Sequence, residues 1–179
     1  MKKFLILIII LTLGFGALYY MRGDNEGATT QNDSGDKVFR PDPKSATFRF
    51  DDSSVTLSNG KGVEKDGNTV IQETNLLDER AYGDLNSDGE EDAVVLLSQS
   101  GGGSGVFIYV AGYVSGPVSY KGTSAIFLGD RISPQSVSVS GGVVTVKYLD
   151  RNPDQAFAEE PTVPTSKQFI YRDGEFVER

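Results

Sequence analysis

Four dipeptides constrain this chain more than any other feature. Asn59-Gly60, Asp66-Gly67, Gly141-Gly142 and Asp173-Gly174 each lie beside or between β-prone runs, and such pairs supply the positive φ angles that two-residue hairpin turns require. The clearest hairpin spans Ser136 to Asp150. Val137 and Val139 alternate with serines before Gly141-Gly142, and Val144, Val146 and Tyr148 alternate after it, which gives one apolar and one polar face. Phe169 to Arg172 and Glu175 to Val177 flank Asp173-Gly174 in the same manner. Two further runs, Ala93 to Leu97 and Val106 to Ala111, are apolar at consecutive positions, the pattern of central strands covered on both faces. Outside the N-terminal stretch no window sustains a helical period, and Thr74 to Arg80 or Asp154 to Glu160 has room for a turn or two of helix at most. No internal repeat at fixed spacing occurs. The expected fold class is mainly β, an antiparallel sandwich or partly open barrel.

The 179 residues suit one domain with a tail or anchor. Phe4 to Met21 is an 18-residue stretch without charge, preceded by Lys2 and Lys3, followed by Arg22, and ending near Tyr19 and Tyr20. As a helix it extends ~27 Å, close to the ~30 Å hydrocarbon core of a bilayer. Residues 1–22 are therefore expected to be an N-terminal membrane anchor, a transmembrane helix. The two lysines place the N-terminus in the cytoplasm and the rest outside it. The alternative is a cleaved signal peptide and a secreted domain, for which Gly14-Phe15-Gly16 is the only candidate small-x-small site. Residues 23–44, rich in Gly, Asn, Asp, Ser and Thr, read as a flexible linker. Residues 45–179 read as the β-rich extracytoplasmic domain.

Composition removes several function classes. The chain has no Cys and no His, which eliminates disulfides, thiolate chemistry, the imidazole base of nucleophilic triads and the usual nitrogen ligands of zinc. Beyond residue 22 there are 14 basic against 25 acidic residues, a balance that disfavours nucleic acid and favours cations or basic partners. Ser98 to Gly105 is glycine-rich but lacks the Lys-Ser/Thr of a phosphate-binding loop, so it reads as a hairpin connection. The Asp130-Arg131 and Asp150-Arg151 pairs read as strand-end charges, the alternative being a polar cluster or binding rim. No complete catalytic constellation is present, so no catalytic residue and no enzyme activity are expected.

One loop carries chemistry. Asp84, Asn86, Asp88 and Asp92 stand at positions 1, 3, 5 and 9 of the segment DLNSDGEED, with Gly89 at position 6. Calcium takes six to eight hard oxygens, which this spacing can wrap around one point, with Glu90 adding its backbone carbonyl at position 7. The candidate metal ligands are thus Asp84, Asn86, Asp88, Glu90 and Asp92, and the expected cofactor is a structural calcium ion. The competing reading is an Asx-rich turn that holds no ion. An EF-hand is excluded because position 12 is Val95 where that motif needs a bidentate Glu. Over Tyr82 to Leu97 the loop resembles those of integrin-type FG-GAP repeats, where a DxNxDGxxD segment joins two strands and holds calcium. A single such segment does not carry over the propeller of that family.

The segments ATFRFDDSSVTLSNG, YGDLNSDGEEDAVVLLSQSGGGSGVFIYVAGY, YKGTSAIFLGDRI and YLDR followed by PTVPTSKQF resemble, in their order, a family of uncharacterised exported, lipoprotein-like bacterial proteins. The resemblance covers residues 46 to 179 and implies a secreted or envelope-attached domain without assigned activity. The lipobox cysteine of lipid-anchored members is absent here. The expected function is a non-enzymatic, membrane-anchored binding or interaction module of the bacterial envelope, whose partner is an unknown protein or cell-wall component. A second reading is an inhibitor of a cationic envelope-attacking enzyme such as lysozyme, and a third is a hydrolase. Oligomeric state is not legible.

Overall fold

Asp66-Gly67, Gly141-Gly142 and Asp173-Gly174 each join two paired antiparallel strands, while Asn59-Gly60 lies in a tight turn closed by the single Ser58–Lys61 bridge. In the computed structural model, which describes residues 27–31, 35, 37–51 and 53–179, φ is positive at Asn59 (52°), Gly60 (80°), Gly67 (59°), Gly141 (57°), Gly142 (74°), Asp173 (53°) and Gly174 (89°). The apolar stretch 4–21, with the anchor and signal-peptide readings attached to it, lies outside the described residues. Among those described, no helix is long and apolar enough to cross a membrane.

The described chain is mainly β, with one 3-10 turn at Pro43–Ser45 and no α-helix. Its strands are β1 (Gly27–Gln31), β2 (Lys37–Pro41), β3 (Thr47–Phe50), β4 (Ser53–Thr56), β5 (Lys61–Asp66), β6 (Thr69–Gly83) and β7 (Asp92–Gly101). They continue as β8 (Phe107–Val114), β9 (Lys121–Gly122), β10 (Ile126–Asp130), β11 (Ser133–Ser140), β12 (Val143–Asp150), β13 (Val163–Arg172) and β14 (Glu175–Glu178). A six-stranded sheet runs β10-β8-β7-β6-β5 with β9 added to β8, and a four-stranded sheet runs β11-β12-β13-β14. β1-β2 and β3-β4 are separate hairpins.

The two runs that are apolar on both faces are central strands. β7 lies between β6 and β8, and β8 between β7 and β10. Val94 and Leu96 of β7 join Ile108, Val110 and Val114 of β8 against Val144, Val146, Tyr148, Phe169 and Phe176 of the four-stranded sheet. Ala93, Val95 and Leu97 face the other way, against Phe48 and Phe50 of β3, Val55 of β4 and Tyr120. The β3-β4 hairpin thus covers the face that the four-stranded sheet leaves open. Burial of a side chain such as Phe48 or Phe169, each with 0% exposure, stabilises by roughly 1.5–3 kcal/mol.

Two sequence expectations are corrected. Thr74 to Arg80 is not helical, because it lies within the long strand β6. There the register against β7 shifts between Leu76 and Arg80, and a bulge of this kind bends a strand and increases its twist. The six-stranded sheet is accordingly a curled half-barrel. Within the segment read as a flexible linker, Gly27–Gln31 and Lys37–Pro41 pair as a hairpin in full register, and Pro41 is fully buried. Its composition is poor in apolar residues, and the hairpin is held by buried Pro41, the Phe39–Tyr120 contact and the Arg40–Glu91 ion pair.

β9 approaches β3 so closely that a Cβ on Gly122 would stand 2.1 Å from the Thr47 carbonyl oxygen. Gly122→Ala is predicted to destabilise the domain by about 1–3 kcal/mol, as overpacking against backbone does. A urea midpoint equal to wild type would show that β3 does not press against β9.

Candidate functional site

The loop between β6 and β7 is built from nested side-chain-to-backbone turns. The Asp84 carboxylate accepts from the N–H groups of Ser87 (2.6 Å), Asp88 (3.2 Å) and Gly89 (3.0 Å). Asn86 Oδ1 accepts from Asp88 N–H at 3.1 Å, and Asp88 Oδ1 from Glu90 N–H at 2.8 Å. Asx turns of this type are why Asp and Asn suit these positions. Ser87 (φ 64°) and Gly89 (φ 84°) lie in the left-handed region, so the chain reverses within a few residues and Gly89 does so without a Cβ penalty.

Asp92 differs from the rest. It is fully buried, and its two oxygens accept from the N–H groups of Leu85 and Ser115, each at 2.8 Å. Each oxygen therefore has its own N–H donor. Burial pushes the Asp92 carboxyl above its ordinary range, against the lowering effect of the two N–H bonds. Asp88 moves the other way. Partial desolvation raises it, but bonds from the Ser115 hydroxyl, the Glu90 N–H and the Asn86 amide together outweigh that and hold it below the usual range.

Ser115, just beyond β8, is the residue that sequence reasoning missed. Its hydroxyl donates to Asp88 Oδ2, and Asn86 Nδ2 donates to Ser115 O and Oγ, both at 3.2 Å, as well as to Asp88 Oδ2 at 2.9 Å. Ser115 lies 23 residues from Asp92 in a segment without motif character, so no local pattern signals it. The structure therefore brings Asn86 and Asp88 together with Ser115 at an open depression also lined by Glu90, Gly116 and Pro117. It places Asp84 under the loop's own N–H groups and Asp92 beneath them. Among the described residues no three acidic side chains form a metal-holding group. The Asp88 carboxylate and the Ser115 carbonyl and hydroxyl are hard oxygen groups at the depression, the chemistry that suits a hard cation and not a soft one, while Asn86 turns its amide nitrogen toward them.

Comparison with known proteins finds no match among family models, curated proteins or solved structures.

The loop is tied down at its edges as well. Glu91 carries a bidentate ion pair from Arg40, at 3.0 and 3.1 Å, and its carbonyl accepts from the Tyr120 hydroxyl at 2.9 Å. On the far side of the fold, Arg131 bonds Asp130 twice, while Arg151 donates to the carbonyls of Asp130, Arg131 and Glu159. Both guanidiniums lie over Phe157, at 4.1 and 5.8 Å from the ring centroid. Asp130, Arg131 and Arg151 thus form one polar cluster that fastens the 151–162 connection, while Asp150 accepts the Arg151 N–H. Asp92→Ala leaves two buried N–H groups without acceptors and is predicted to cost about 2–3 kcal/mol in urea unfolding. A loss below ~0.5 kcal/mol, the scatter of surface substitutions, would mean that those N–H groups find other partners.

Proposed function

We propose that this chain is a non-enzymatic, membrane-anchored domain of the bacterial envelope that acts as a binding or interaction module and is stabilised by one calcium ion in the 84–92 loop. The observation that supports the ion is the gathering of the Asp88 carboxylate and the Ser115 oxygens beside a loop whose backbone is already turned by Asp84 and Gly89. Asp84, Asn86, Asp88, the Glu90 carbonyl and Asp92 are the residues to hold calcium, and Ser115 adds oxygens from outside the loop. Asp84 Oδ2 and Asp88 Oδ1 each accept one N–H bond, which leaves a second lone pair on each for a cation. The ion's role is to cross-link β6, β7 and the end of β8, and so to present a fixed surface to a partner. Anchoring is supported by the uncharged stretch 4–21 behind Lys2 and Lys3, and a non-catalytic role by the lack of His and Cys.

Calorimetric titration and thermal melting of the full chain in detergent, with and without calcium, test this reading against Asp88→Ala. One ion per chain is expected, with a rise in Tm of about 5–10 °C at a hundredfold excess over Kd that the variant loses. Melting that is indifferent to calcium in the wild type would reduce the loop to a turn.

A further inference from the structure

Among the described residues, the β1-β2 hairpin joins the rest of the domain through side chains. Its two strands pair with each other and with no other described strand, and a lone two-stranded hairpin is marginal in water. Its order therefore depends on docking, and the dock is narrow. Pro41 is buried, Phe39 lies against Tyr120 at 5.8 Å, and Arg40 makes its bidentate pair with Glu91 while standing 4.4 Å above the Tyr82 ring. β1 is mostly exposed. Between the hairpin and β6 lies a cleft of about 510 Å³, lined by Gly27, Ala28 and Thr30 on one side and Arg80 and Tyr82 on the other. Packing of this kind is held by a few specific contacts and not by continuous apolar burial.

The position of the hairpin gives the contact a consequence. Only residues 22–26 separate Gly27 from the apolar stretch ending at Met21, and five residues span at most ~17 Å. With the hairpin undocked and unpaired, residues 22–41 reach up to ~70 Å. The partners of Arg40, Tyr82 and Glu91, stand on either flank of the 84–90 loop, so one guanidinium grips both sides of the loop's base.

We propose that β1-β2 is a strap latched by Arg40, which keeps the domain close to the point where the chain leaves the apolar stretch and lets it stand farther off when the latch opens. The latch is read from the folded domain alone, whereas its effect on reach rests on the anchoring proposed above. Arginine is required because its planar fork pairs a carboxylate on two bonds and stacks on a ring at once, which lysine does not do. The open state lengthens the tether and uncovers Tyr82 and Tyr120.

The absence of native Cys permits clean spin labelling of the full chain in lipid nanodiscs at Thr29→Cys and Lys121→Cys, with Lys121→Cys and Ser140→Cys as a control pair within the domain. Double electron–electron resonance is expected to give one narrow strap distance in the wild type. Arg40→Ala and Arg40→Lys should raise a broad, longer-distance population by on the order of tenfold, with the control pair unchanged. A strap distance in Arg40→Ala identical to wild type overturns the latch, as does a wild-type distribution that is already broad. Should the control pair broaden in Arg40→Ala, Glu91→Gln is judged by the same criterion. Failure of the anchoring reading shows separately, as an intact mass lacking the first residues or a chain that does not enter nanodiscs. The reach consequence then falls, while the label distances still decide the latch.

Discussion

The buried carboxylate of Asp92 is the interaction on which the geometry of the loop end depends. It stands at the head of β7, the strand with both faces buried, and takes one N–H from Leu85 at the start of the loop and one from Ser115 beyond β8. A polar group withdrawn from water is costly unless its bonds are complete, and here each oxygen of Asp92 accepts a backbone N–H. The same bonds fix where β6 ends, where β7 begins and where the chain leaves β8. Leu85 is carried with them into the core between the two sheets, so the polar anchor and the apolar core enforce one register.

That register cannot slip. Shifting β7 by one residue would exchange Val94 and Leu96, which meet the four-stranded sheet, with Ala93, Val95 and Leu97, which meet β3 and β4. A change of face inverts every contact at once. The bulge in β6 then curls the sheet around the first core, and the β3-β4 hairpin closes the second. The exposed edge at β10 is blunted at both ends, since Arg49 bonds the backbone at Thr123 and Ala125 and Arg151 takes the carbonyls of Asp130 and Arg131. A register break between Phe127 and Gly129 adds the irregularity that discourages further strand pairing.

Much of this was legible in the sequence because turn chemistry and alternation are local. Asn59-Gly60, Gly141-Gly142 and Asp173-Gly174 need positive φ wherever they stand, and the double-faced apolar run Ala93 to Leu97 has few places to go except a sheet's interior. The loop's own scaffold was legible for the same reason, since Asp84, Asn86 and Asp88 reach only a few residues along the chain. Contacts between distant segments were not. Ser115 at the depression, Arg40 on Glu91 and Tyr82, and the joining of Arg131 to Arg151 across Phe157 all depend on tertiary placement. The hairpin 27–41 was invisible because its composition is that of a linker and its few anchoring side chains, Phe39, Arg40 and Pro41, carry no periodic signal. Thr74 to Arg80 reads as ambiguous because a bulge breaks the alternation that marks a strand.

Amide hydrogen exchange at single-residue resolution tests the central claim most directly. If Asp92 fastens the loop to the core, the N–H groups of Leu85 and Ser115 exchange as slowly as those of Val94 to Leu97, while Ser87 and Gly89 exchange sooner. If Leu85 and Ser115 exchange at the rate of Ser87 and Gly89 while β7 stays protected, the buried carboxylate does not hold them, and the loop is an appendage of the fold.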